Sequence, residues 1–94
     1  MAGYKHVTAD GEVSTSGQPV VIYDVQIVSG AGGAGSVILR NGTDSGGTAI
    51  LTLTGTVSKG DNFPMGEVGV LFPGGCFLDL DANAAEVTVT YERI

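Results

Sequence analysis

Ninety-four residues suffice for one domain and are too few for two, and a chain of this size buries only about 60–65% of the surface it exposes when unfolded. Apolar residues make up 43% and charged residues 15%, against an average of about 25%, which leaves the surface to Gly, Ser, Thr and Asn and excludes long charged helices. The net charge of −6, with Lys5, Arg40, Lys59 and Arg93 scattered along the chain, argues against direct nucleic-acid binding, because phosphate recognition needs clustered Lys and Arg.

The start, from Met1 to His6, lacks the apolar core of a signal peptide, so secretion is not expected and the chain is expected to be made in a cytoplasm. Tyr4 to Thr8 reads as a short strand, after which Asp10-Gly11-Glu12 and Ser14-Thr15-Ser16-Gly17 turn polar. Residues 1–18 are therefore expected as a flexible arm or an edge segment of a single β domain spanning 1–94.

From Val20 onward apolar and polar residues alternate with period 2, the mark of half-buried strands. Val21, Tyr23, Val25 and Ile27 fall on one face, while Val20, Ile22 and Val28 fall on the other, so this strand reads as apolar on both sides. Val20 and Ile22 are on that account candidate protein-contact residues, with core burial the competing reading.

Ser29 to Gly35 follows as a glycine loop whose Gly30-Ala31-Gly32-Gly33-Ala34-Gly35 spells G-x-G-x-x-G. A dinucleotide site needs a helix next, to hold the pyrophosphate at its N-terminus, and Ser36 to Arg40 reads as a strand instead. A hairpin connection is the better reading, and no cofactor is expected.

Val37 to Arg40, Ala49 to Thr54, Val68 to Phe72, Cys76 to Asp81 and Val87 to Glu92 continue the alternation. Asn41 to Gly47 reads as a polar loop, and Asn41-Gly42-Thr43 as a turn despite matching a glycosylation sequon. Lys59-Gly60-Asp61-Asn62 reads as a turn, and Pro73-Gly74-Gly75 as a tight one, with Pro first and a positive-φ Gly next. The expected fold is all-β, a single small antiparallel β-sandwich or jelly-roll-like barrel of about seven strands.

No constellation of catalytic residues stands out. His6 is the only histidine and Cys76 the only cysteine, so no internal disulfide or His-based metal cluster is possible. Asp79-Leu80-Asp81-Ala82-Asn83 mimics the opening of a calcium loop, but Ala84 and Thr90 stand where the required Gly and Glu would be. Asp79 and Asp81 are better read as solvent-facing residues beside Phe77, and no metal site is expected. No apolar run approaches the roughly 20 residues of a membrane span.

The run Gly66-Glu67-Val68-Gly69-Val70-Leu71-Phe72-Pro73-Gly74-Gly75-Cys76-Phe77-Leu78-Asp79-Leu80, followed by Val87-Thr88-Val89-Thr90-Tyr91, resembles small β-rich virion proteins of tailed bacteriophages, particularly capsid decoration (cement) proteins. Val25 to Gly30 and Val37 to Gly42 fit the same pattern, so the resemblance covers most of the chain from Val20. It implies a non-enzymatic protein, with no catalytic residues to carry over. It also implies trimers that bind the major capsid protein on the outside of the shell and tie neighbouring subunits together. Phe77, on the outer face of its strand, joins Val20 and Ile22 as a candidate contact. A tail-fibre, spike or neck β-module that binds a receptor or glycan through the loops Ser29 to Gly35 and Asn41 to Gly47 is the alternative.

Overall fold

The computed structural model describes residues 2–14 and 17–94; Thr15 and Ser16 of the expected polar arm lie outside the described residues. The described residues form nine strands and no helix: β1 (Ala2–Val7), β2 (Gly11–Glu12), β3 (Val20–Ser29), β4 (Ser36–Asn41), β5 (Thr48–Thr54), β6 (Gly60–Pro64), β7 (Val70–Phe72), β8 (Cys76–Leu80) and β9 (Ala84–Arg93). One antiparallel sheet has the order β1-β9-β3-β6, with β7 also on β3, and the other has the order β2-β8-β4-β5.

The pairings are nested. β1 pairs β9, β2 pairs β8, β3 pairs β7 and β6, and β4 pairs β5, as in one long hairpin whose tip is the β4–β5 loop. Two further pairings, β3 with β9 and β4 with β8, close it into two sheets. One apolar cluster joins both sheets: Val20, Ile22, Val25 and Ile27 of β3, with Val87 and Val89 of β9, pack with Val37 and Leu39 of β4 and Leu78 of β8.

The strand count is nine rather than about seven, because β2 and β6 have no apolar alternation to betray them. Gly60, Asp61 and Asn62, expected as a turn, belong to β6, where they pair Val28, Ile27 and Gln26. The turn lies one step earlier: Lys59 N donates to Thr56 O at 3.1 Å, and Ser58 takes a positive φ of 58°. Asp61 fixes that turn by accepting the Thr56 N–H.

The two-sided apolar character of β3 is a phase shift. The register against β9 slips between Ile22 and Asp24, so Tyr23 is an inserted bulge residue. Val20 and Ile22 before it, and Val25 and Ile27 after it, all point inward and are fully buried. A one-residue slip exchanges the faces of every residue beyond it. The expected grouping of Val21, Tyr23, Val25 and Ile27 on one face is corrected accordingly.

The Pro73 turn also differs in detail. Gly75 N donates to Phe72 O at 3.1 Å, and the positive φ, 90°, falls on Gly75 rather than Gly74. This is the geometry of a turn with Pro at its second position and Gly at its fourth. Asn41 Oδ1 accepts the Gly74 N–H at 2.7 Å, so the sequon asparagine spends its side chain on holding this turn.

The glycine loop has a packing role. Gly35 N donates to Ser29 Oγ at 2.9 Å, and Gly30 N to Asn83 O at 2.9 Å, which seats the loop on the β8–β9 turn. A Cβ on Gly35 would stand 2.7 Å from Ala84 Cα and 2.8 Å from Asn83 O, backbone that has no side chain to move aside. Gly35→Ala is therefore expected to destabilise the fold by about 1–3 kcal/mol, the usual cost of overpacking. Urea unfolding checks it, with Gly11→Ala, where a Cβ meets nothing within 4 Å, unfolding at or above the wild-type midpoint. Equal midpoints for Gly35→Ala and the parent would refute the packing role.

Candidate interaction surface

The residues with catalytic or metal-binding potential are engaged elsewhere. Arg40 Nε donates to Asp79 Oδ2 at 3.0 Å, and Arg40 Nη1 to Gly47 O at 3.2 Å, so Asp79 is half of an ion pair across β4 and β8. Asp81 accepts the Ser36 hydroxyl at 2.9 Å and the amides of Asn83 and Ala84, each at 3.0 Å. Hydrogen bonding from the Ser36 backbone, then from its hydroxyl and those amides, holds the Asp81 carboxyl below its ordinary range. His6 Nε2 sits 2.9 Å from Glu86 Oε1 on the open surface. Among the described residues no group of three or more His, Cys, Asp or Glu comes together.

Tyr23 and Glu92 form a further hydrogen-bonded pair. The Tyr23 hydroxyl donates to Glu92 Oε1 at 2.9 Å, which raises the phenol and lowers the carboxyl from their usual ranges. The bond ties the bulge of β3 to the end of β9. Cys76 is fully enclosed, and burial alone pushes its thiol up to about 12, so it behaves as a small core hydrophobe.

A shallow open depression of about 240 Å³ lies over β3 and β6, lined by Gln26, Ile27, Val28, Gly60, Asp61 and Asn62. It falls below the roughly 300–1,000 Å³ of small-molecule sites. The glycine loop is followed by β4, so no helix N-terminus stands behind it.

Of the three candidate contacts, Val20 and Ile22 have no accessible surface and belong to the core. Phe77 is half-buried on the outer face of the second sheet, between Glu12 of β2 and Arg40 of β4 in register. The outward apolar residues of the β3–β7 pair are Val21 and Leu71, directly opposite each other while Val20 and Phe72 face inward. Leu71 is 53% exposed, and Val68 in the preceding loop is 88% exposed. That loop presses onto Val21: a Cβ on Gly69, which has a φ of 75°, would stand 2.5 Å from Val21 Cγ1. The ridge is thus Val68 and Leu71, both exposed, beside the half-buried Val21.

Val68 falls in the alternating set Val68, Val70 and Phe72, which reads as a core strand, and Leu71 sits between two of its members, so alternation alone hid the ridge. The flanking Gly66 and Gly69, both with positive φ, were the available signal that Val68 tops a turn. Comparison with known proteins gives no relative to set beside this surface: no family model, no curated protein and no solved structure matches the chain.

Proposed function

We propose that this chain is a non-enzymatic virion protein that decorates the outside of a bacteriophage capsid and stabilises the shell. The observation that carries the reading is the nested strand order. Sheets ordered β1-β9-β3-β6 and β2-β8-β4-β5, built from one folded-over hairpin, correspond to a jelly-roll sandwich in which β7 extends the β6 position. Jelly rolls recur in viral capsid and lectin domains, and this step from fold to role is an analogy. The sequence resemblance to decoration proteins points the same way.

The partner is the major capsid protein, met through the Val21–Val68–Leu71 ridge. Exposed apolar side chains such as Val68 and Leu71, beside Val21 of β3, are what a protein contact buries. Bound as a closed homo-oligomer, several modest contacts act together, and the assembly leaves the shell far more slowly than one contact would allow. No nucleic-acid or membrane contact enters this reading.

The test is binding of the purified protein to shells that lack it, with stoichiometry read by light scattering. Saturable binding at a copy number matching symmetry axes is expected, with shells that better survive heat. Leu71→Glu should reduce occupancy at least tenfold with unchanged circular dichroism. No binding by the wild-type protein refutes the decoration role.

A second reading, a tail or spike module that grips a glycan, draws on the amides of Gln26 and Asn62 at the rim of the depression. Glycan binding without shell binding would favour it.

A further inference from the structure

We infer that β5 is a subunit interface, pairing antiparallel with β5 of a second copy across a two-fold axis at Thr52. An open sheet edge presents unpaired backbone donors and acceptors that can template another strand, and folded proteins blunt such edges with charge, Pro or brevity. The other edges here are blunted. β1 carries Lys5 and His6, β6 carries Asp61 and Pro64, and β2 and β7 are two and three residues long. β5, Thr-Ala-Ile-Leu-Thr-Leu-Thr, carries no charge and no Pro, and no charged residue occurs between Asp44 and Lys59.

The open backbone groups can be assigned. Gly55 N donates to Gly35 O at 2.8 Å, and Leu53 and Leu51 stand opposite Val37 and Leu39. Alternation along the strand then directs the N–H and C=O of Leu51 and Leu53 toward β4, and those of Thr52 and Thr54 outward. The bulge opposite Arg40 falls at Ile50, so the regular part of the edge is centred close to Thr52.

A two-fold through Thr52 satisfies both faces. Thr52 meets Thr52 of the copy as a hydrogen-bonded pair, and Ile50 meets Thr54. Leu51 meets Leu53 twice on the inward side, where both are half-buried. Opposed residues point to the same side of a sheet, so leucine stays with leucine. Phe63 and Met65, at the edge of the other sheet, are likewise half-buried against the core. Charge favours a second copy as the occupant: in a chain of net charge −6 self-association needs a seam without acidic residues, and β5 supplies one.

The contact makes a dimer, not the trimer that the family resemblance implies, and it does not depend on the decoration role. The experiment is light scattering with amide hydrogen exchange on the full chain, on Thr52→Lys and on Thr52→Val. The wild type and Thr52→Val should run at twice the 9.5 kDa chain mass, with the amides at positions 52 and 54 protected at least tenfold over the monomer. Thr52→Lys sets two ammonium groups face to face at the axis and should halve the mass, with unchanged circular dichroism and free exchange at both amides. A monomeric or trimeric wild type overturns the inference. So does a dimer whose Thr54 amide exchanges freely, or a Thr52→Lys variant that stays dimeric. Shell binding, scored separately, bears on the decoration role alone.

Discussion

Phe72→Ala is expected to destabilise the protein by about 3–5 kcal/mol, the range for truncating a buried aromatic. Phe72 is the largest fully buried side chain, and it enters the core from β7, a strand of three residues. Its cross-strand partner is Val20, itself without accessible surface, and its carbonyl closes the Pro73 turn by accepting the Gly75 N–H. The strand pairing and the turn therefore fix the backbone at Phe72, and little slack exists for neighbours to fill the space its ring would leave. A domain of this length has a total stability of about 5–14 kcal/mol, so the loss removes a large share of it. Urea unfolding followed by circular dichroism reads the effect as a lower midpoint at similar slope. Leu71→Ala, one residue away and exposed, should stay within about 0.5 kcal/mol of wild type. Similar losses for the two variants would refute the inward–outward assignment of β7.

That assignment also marks how far the sequence could be read. Cys76, Leu78 and Leu80 against Phe77, Asp79 and Asp81 alternate without interruption, and β8 follows the pattern from Cys76 to Leu80, with Asp81 just beyond its end. Val87, Val89 and Tyr91 do the same in β9. Period-2 reading fails where the backbone itself breaks phase. The Tyr23 bulge reverses the faces of β3, which turned Val20 and Ile22 into apparent surface residues. The run of apolar residues from Val20 to Tyr23 is the mark that bulge leaves in the sequence, but it does not say at which residue the phase changes. β6 fails for a different reason. Gly60-Asp61-Asn62 has turn composition, and only pairing with β3, from far earlier in the chain, makes it a strand. Edge strands need few apolar residues, so tertiary pairing overrides propensity there.

The same distinction governs the candidate surface. The ridge at Val21, Val68 and Leu71 and the seam at β5 are both built from residues whose chemistry reads as core. What makes them surface is position: Val21 and Leu71 point away from the core on the β3–β7 pair, Val68 lies in the loop before β7, and β5 ends its sheet with no further strand beyond it among the described residues. Nested pairing brings β1 and β9 together and leaves β5, next to the hairpin tip, as the uncharged edge. A fold rolled up in this order also delays most of its contacts until distant segments meet, which is the topology of slow folding.

Raising the pH should expose the cost of burying Cys76. The thiol titrates at an ordinary value of 9.0 when unfolded and is pushed up to about 12 in the folded protein, because burial disfavours the thiolate. Below pH 9 both states keep the proton, and Cys76 contributes nothing to the pH dependence. Between pH 9 and about 12 the unfolded chain releases the proton while the folded chain retains it, so the unfolded state gains and stability falls as pH rises. Raising the thiol from 9.0 to about 12 corresponds to a loss of up to about 4 kcal/mol across that window. The measurement is the difference between wild type and Cys76→Ala at each pH, which cancels whatever the two proteins share. Cys76→Ala should be the less stable protein at about pH 7, since it leaves a small cavity in the core. The gap should narrow above about pH 9 and reverse by about pH 11, with wild type becoming the weaker fold. A gap that stays constant with pH would mean that the thiol is open to solvent, and that the two sheets do not close over β8 at this point.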